Sequence, residues 1–291
     1  MSDLLKQMFG RYLSTEVMHS LLANPAALEL GGERREVTIL MSDLRGFTTL
    51  SEQLEPGEII ALLNAYFSSQ SPPISRAGGF IDAYTGDEIM ALFDAPPDAA
   101  VRAGIEMRRA LEEHNRSAEA TGGPLLRAGI GMDTGPLVLG TVGGHDRLKC
   151  GVVGDVVNLS SRIEQLTKRY EVPFLIGDGA YRSLVAPERF SLRLIDRVAV
   201  KGKLLAVTLY EVLDAEEPAR REAKEATRTL LAEAQGQLAA GEFGEAYELL
   251  SEALARDPRD RVLSLLRERA ERYRDAPPGE AWRGFETLRT K

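Results

Sequence analysis

The 291-residue chain contains a single cysteine, Cys150. One cysteine excludes an internal disulfide framework and fits a reducing compartment, so a cytoplasmic location is expected. No stretch approaches the ~18 consecutive apolar residues that a membrane span requires. Asp3, Lys6 and Arg11 interrupt the beginning of the chain, where a signal-peptide core would be apolar. Positive charge is also in deficit: 36 Lys and Arg against 44 Asp and Glu leave a net charge of -8. That balance argues against a non-specific binder of nucleic acid or anionic membrane, and an anionic ligand would need locally placed cations. What is present is ordinary for a folded soluble protein, 44% hydrophobic and 27% charged, with length for one large domain or two smaller ones.

Leu4, Leu5, Met8, Tyr12 and Leu13, then Val17, Leu21 and Leu22, have helical spacing, so one or two short amphipathic helices precede Pro25 and the GGE of 31–33. Strand-like stretches follow: VTILMS (37–42), GFIDAY (79–84), EIMALF (88–93), LLRAGIGMD (125–133), PLVLGTV (136–142), FSLRLIDRVAV and LLAVTLYEVL. Helix-like stretches at 56–70, 97–118 and 156–170 lie among them. Tight turns at 84–88 and 133–136 demand antiparallel pairing, and the long helices supply crossovers. The expected fold class is α+β, a ferredoxin-like sheet with helices on one face. After residue 214 the composition shifts to Ala, Glu, Arg and Leu, and GEFGEAYELLSEALARDP (241–258) has the spacing of one tetratricopeptide helix pair. A lone repeat forms no solenoid, so a helical hairpin is expected to pack on its own body, on a second copy or on a partner. The expected division is 1–32, 33–213 and 214–291.

Three stretches carry candidate chemistry. In MSDLRGFTTLSE (41–52) Asp43 closes an apolar run. A strand end of this kind can offer a carboxylate to a cation and amides to an anion. Aspartate before a glycine-containing loop is equally ordinary turn chemistry. Asp87 occupies the tip of a TGDE hairpin, again a preferred turn pair. If hairpin and first strand share a sheet, Asp43 and Asp87 stand side by side, and two carboxylates so placed repel unless a cation such as Mg²⁺ or Mn²⁺ lies between them. In KCGVVGDVVNLSSRIEQL (149–166) a helix from Val156 puts Asn158 and Arg162 at i and i+4. An amide and a guanidinium so aligned can orient a sugar and stabilise phosphoryl charge, and a solvated helix face is the plain alternative.

Together these stretches resemble the catalytic domain of class III nucleotidyl cyclases, over roughly Phe9 to Leu213. No Walker P-loop or dinucleotide fingerprint competes. The resemblance implies that Asp43 and Asp87, with the carbonyl of Leu44, bind two divalent cations (Mg or Mn). It implies that the amides of Gly46, Phe47 and Thr48 hold the terminal phosphates, and that Lys201 or Lys203 binds phosphate as well. Asn158 would orient the ribose, and Arg162 would stabilise charge at the α-phosphate while pyrophosphate leaves. It further implies a head-to-tail homodimer, with the aspartates from one chain and the Asn/Arg pair from the other. None of His19, His114 and His145 then needs a catalytic role.

At two positions the sequence departs from the family's pattern. Ala83 and Gly151 stand where adenylate cyclases carry a lysine and an aspartate or threonine, and where guanylate cyclases carry a glutamate and a cysteine or similar residue. A methyl group and a hydrogen make none of the hydrogen bonds that discriminate bases. ATP is the expected substrate, on the frequency of adenylate cyclases in the family. GTP or a pyrimidine nucleotide is the alternative, as is a nucleotide-responsive module whose tail docks a protein partner.

Overall fold

Val37, Ile39 and Met41 alternate with Thr38, Leu40 and Ser42 along β1 (Gly31–Leu44), and all six are buried, so this strand has protein on both faces. The computed structural model describes residues 31–144, 147–199, 206–279 and 282–287. The N-terminal helices expected before Pro25 and the candidates Lys201 and Lys203 lie outside these residues. Gly31 and Gly32 belong to β1 and not to the segment before it.

After β1 come α1 (Phe47–Ser51), α2 (Pro56–Arg76), the hairpin β2 (Phe80–Thr85) and β3 (Glu88–Phe93), and α3 (Asp98–Thr121). Next are β4 (Ala128–Gly144), β5 (Arg147–Val153), α4 (Asp155–Tyr170), β6 (Phe174–Gly177), α5 (Asp178–Ser183), β7 (Leu192–Ala199) and β8 (Val207–Val212). The C-terminal region consists of α6 (Pro218–Ala240), α7 (Phe243–Arg256), α8 (Arg261–Asp275) and the short β9 (Glu286–Thr287). The strands form one sheet in the order β2-β3-β1-β4-β6-β8-β7-β9, with β5 pairing on β4. The class is α+β, as expected. Among the described residues no helix is long and apolar enough to cross a membrane.

Three expectations are corrected. The stretch 133–136 is no turn: β4 runs straight through it and pairs antiparallel with β1 from Gly31↔Thr141 to Leu44↔Ala128. Asp133 is buried, and its carboxylate is satisfied by the amides of Thr134 (2.9 Å) and Ala180 (2.7 Å). Pro136 falls between the last β6 partner, Met132, and the first β5 partner, Val138, where one edge of β4 carries no ladder. The hairpin lies further on, between β4 and β5.

Helices cover both faces of the sheet, not one. Phe174 and Ile176 of β6 pack with α2 and α3, whereas Leu175 between them packs with α4 and the C-terminal helices. The C-terminal region has three helices in place of a hairpin, and it packs on its own body: residues of α6, α7 and α8 share one apolar cluster with Leu159, Ile163, Leu166 and Tyr170 of α4. The central strands are thereby enclosed, and one end of β1 and β3 meets α4 at an edge where polar side chains gather.

Candidate active site

Strand alternation decides which way Asp43 points. Val37, Ile39 and Met41 face the cluster that includes Val156 of α4, and Asp43 is the next residue in that row. Ser42, on the opposite face, is hydrogen-bonded to the buried Tyr66 hydroxyl of α2 at 3.1 Å. The β2–β3 hairpin closes through Gly86, whose φ of 65° suits a residue without a side chain, and Asp87 follows at the tip. β3 lies antiparallel to β1 with Ser42 opposite Ile89, so the next step along each strand brings Asp43 level with Glu88 and beside Asp87.

The two aspartates meet. The carboxyl of Asp87 is close enough to Asp43 to act on its ionisation directly. Burial first, then the charge of Asp87, pushes the Asp43 pKa up to about 7. Glu88 is raised as well, by burial and then by Asp87. This like-charge apposition is what a hard divalent cation relieves, so the donor set fits such an ion. Among the described residues no group of three or more His, Cys, Asp or Glu side chains is arranged to hold a metal. A cation held by the two aspartates would complete its shell with backbone, substrate or water oxygens.

Just beyond, Gly46 has φ 73° and starts α1, leaving Phe47 and Thr48 in its first turn, where amides have no intrahelical acceptor. Arg45 ties this turn to the body: its amide donates to Arg127 O (2.7 Å) and its guanidinium to Val172 O (2.5 Å). Leu44 is buried at the end of β1. The turn is therefore anchored on both sides of the sheet edge.

Helix α4 lies closer to the sheet than side chains normally permit. A Cβ at Gly131 would sit 2.1 Å from the backbone nitrogen of Glu164, and one at Gly129 would sit 2.2 Å from the Thr167 hydroxyl oxygen and 2.8 Å from Glu164 Oε1. Gly129 is the β4 partner of Asp43, so this contact brings the Glu164 carboxylate to the acidic patch. Glu164 was not singled out by sequence; the two glycines of GIGMD, sharing one strand face, were the available sign of a close approach. It is buried, and burial together with the Asp43 charge pushes its pKa up to about 8, opposed by Arg45.

The buried face of α4 runs through Val156, Leu159, Ser160, Ile163, Glu164, Leu166, Thr167 and Tyr170. Asn158 and Arg162 fall on the other side: Asn158 is exposed and Arg162 half-buried. Among the described residues, neither has a side-chain hydrogen bond or ion pair. They do not join the Asp43/Asp87 pair within this chain.

Ala83 shares the α4 face with Met90, its partner on β3, after a bulge between Ile81 and Ala83. On the other face the neighbouring Tyr84 packs on Phe67 (ring centroids 4.2 Å apart) and meets the Ser71 hydroxyl at 2.9 Å. Gly151 lies on β5 opposite Gly140. Ala83 is thus near the aspartates and Gly151 is at the far end of β4.

A family profile described as "Adenylate and Guanylate cyclase catalytic domain" matches residues 32–213. An adenylate cyclase of Anabaena cylindrica is 48% identical over 192 residues, which are 64% of this chain and 38% of that protein. The terminal-differentiation-specific adenylate cyclase of Dictyostelium discoideum is 38% identical over 193 residues, 64% of this chain and 9% of that protein. The chain spans well under half the length of these curated relatives. Among solved structures, the guanylyl cyclase Cya2 is 40% identical with a TM-score of 0.56, covering 65% of this chain and 97% of that one. A bacterial light-regulated adenylyl cyclase is 27% identical with a TM-score of 0.66, covering 74% of this chain and 63% of that one. Since the profile spans more than half of the sequence, the protein belongs to the adenylate and guanylate cyclase catalytic domain family, a family of phosphorus–oxygen lyases.

Proposed function

We propose that this chain converts a nucleoside triphosphate into a 3′,5′-cyclic nucleotide and pyrophosphate at sites shared between two copies of itself. The observation that carries the reading is the apposition of Asp43 and Asp87 on the sheet edge while Asn158 and Arg162 face outward from α4. The length of β4 supports the shared site. Gly129, beside Asp43, and Gly140, beside Gly151, are eleven residues apart, about 36 Å at ~3.3 Å per residue, beyond the reach of one nucleotide within one chain. A second copy, placed head to tail, would bring its Gly151, Asn158 and Arg162 to the first chain's Asp43, Asp87 and Ala83, as two-fold symmetry allows.

Two divalent cations, held by Asp43, Asp87 and the Leu44 carbonyl, would supply neutralisation of the triphosphate and activation of the ribose 3′-hydroxyl. The chain's own groups do the rest. Gly46, Phe47 and Thr48 offer amides to the terminal phosphates, and Lys201 or Lys203 adds a cation there. Asn158 orients the ribose, and Arg162 stabilises the charge that builds on the α-phosphate. The catalytic unit is 33–213, preceded by an N-terminal segment (1–32) and followed by the helical region 214–291.

Base choice is open at Ala83 and Gly151, and the relatives divide in the same way: 48% identity to an adenylate cyclase and 40% to a guanylyl cyclase. ATP is the first candidate and GTP the second. Purified protein incubated with ATP, GTP, CTP or UTP and Mg²⁺ or Mn²⁺ is expected to yield a cyclic product identifiable by mass spectrometry. Nucleotide binding with no cyclic product from any of the four would overturn the enzymatic reading. Asp87→Ala and Arg162→Ala chains should each be inactive alone, and an equal mixture should recover part of the activity.

A further inference from the structure

Asp196 follows Ile195 in β7, and it is almost wholly buried. A bulge in β7 between Leu194 and Asp196 shifts the register there, and its carboxylate meets three donors from two distant elements. The Tyr170 hydroxyl, at the last residue of α4, donates to Oδ2 at 2.6 Å. The guanidinium of Arg269 on α8 closes a two-pronged pair, to Oδ1 at 2.7 Å and Oδ2 at 2.6 Å. Tyr170 and Arg269 are themselves almost fully buried. One carboxylate therefore joins the end of α4 to the C-terminal helices.

The apolar packing runs the same way. α8 lies against α4. Leu159, Ile163, Leu166 and Tyr170 of α4 share a cluster with Val262, Leu263, Leu266 and Ala270 of α8. Leu159 and Ile163 directly follow Asn158 and Arg162 in sequence. Arg162 is eight residues from Tyr170, about 12 Å along a helix that transmits displacement with little bending. The C-terminal region is itself fixed at both ends, by α6 through Gln235 Nε2 to Leu194 O (3.3 Å) and by β9 pairing with β7 at Val198↔Glu286.

From this arrangement we propose that Tyr170, Asp196 and Arg269 are positioning residues for turnover, through which the C-terminal helices set the placement of Asn158 and Arg162. The proposal rests on the shared-site reading above. The three residues touch no substrate; they act by holding one end of α4 against β7 and α8. Loosening them shifts the Asn/Arg pair offered to the partner copy and leaves the aspartates and phosphate turn of the same chain in place. Mispositioning by about 1 Å is enough to cost turnover heavily.

The test uses full-length chains carrying Tyr170→Phe, which removes only the hydroxyl, or Arg269→Gln. Turnover number is expected to fall roughly tenfold with KM for the nucleotide changed less than twofold. Tyr170→Phe retains the ring packing if Arg269→Gln fails to fold. Mixed dimers then locate the defect. Paired with Asp87→Ala, the variant chain supplies the metal side of the one working site and the intact chain supplies Asn158 and Arg162, so single-site activity should be normal. Paired with Arg162→Ala, the variant chain supplies the Asn/Arg pair, and activity should show the full loss. A defect of equal size in both mixtures, or a lowered melting temperature with unchanged turnover, would overturn the proposal. If Asp87→Ala and Arg162→Ala chains mixed without the variant show no recovery, the shared site fails, and the tenfold loss in the homodimer still judges the clamp.

Discussion

The contact between Gly131 and the backbone of Glu164 makes a sharp prediction for Gly131→Ala. The new Cβ would stand 2.1 Å from the Glu164 nitrogen and 2.4 Å from its Cα. Both are main-chain atoms that no rotamer change can move aside. To reach an ordinary contact of about 3.4 Å, α4 must lift from β4 by roughly 1 to 1.5 Å. Forcing a methyl into such a contact costs about 1–3 kcal/mol, which for a chain of this size lowers the melting temperature by several degrees. The same lift carries Asn158 and Arg162 away from their place, and a displacement of about 1 Å can reduce turnover about a hundredfold. Gly135→Ala is the internal control: it lies on the same strand face, where a Cβ would meet Val156 Cβ at 3.4 Å, an ordinary contact. Calorimetric melting and product formation under saturating nucleotide measure the two effects. Wild-type turnover and melting in Gly131→Ala would refute the packing. Lowered melting with unchanged turnover would refute the link from helix placement to catalysis.

Two further outcomes are expected. The raised pKa of Glu164, about 8 against ~4.3 in an unfolded chain, means that the fold binds the extra proton across this window. Its contribution to stability is therefore present at low pH and is lost as pH rises toward 8. Urea unfolding in EDTA should show wild type losing ground to Glu164→Gln between pH 5 and 8, by at most about 1.4 kcal/mol per pH unit, and then levelling. A difference that does not vary with pH would contradict the placement of this carboxyl beside Asp43, Asp87 and Glu88. Ala83→Lys combined with Gly151→Asp should raise the ATP:GTP ratio of kcat/KM at least about tenfold, and an unchanged ratio would place base selection elsewhere.

The candidate site was legible in the sequence because its residues sit at ends of elements, where local pattern is strong: Asp43 closing an apolar run, Asp87 in a glycine turn, Asn158 and Arg162 one helical turn apart. What could not be read came from contacts between distant segments. Asp-Thr-Gly-Pro at 133–136 has turn chemistry, yet pairing with fourteen residues of β1 holds it extended, and Asp133 spends its carboxylate on amides of Thr134 and Ala180. The four-residue β6 was too short to stand out, and its Phe174 and Leu175 face opposite layers. Glu164 reads as one more polar residue on a helix until Gly129 and Gly131 bring it against the sheet. Arg193 and Asp196 were visible as charges inside a strand, and their partners Asp260 and Arg269 lay some seventy residues away.

Those buried charges have a consequence for how the chain is made. Arg193 lies between Glu211 (2.6 Å) and Asp260, Glu211 also pairs with Lys224, and Asp196 pairs with Arg269. When β7 and β8 leave the ribosome, Glu211 has Arg193 beside it but not Lys224, and Asp196 has not met Arg269, so the face that α6 and α8 later cover still carries charge and favours contact with water. The pairing of Asp196 with α8 is therefore completed only after residue 269 has emerged. Translation of the helical region is thus the last step of burial: a ribosome that stalls after β8 releases a chain bearing every proposed catalytic residue, with the outer charges of β7 and β8 left facing water.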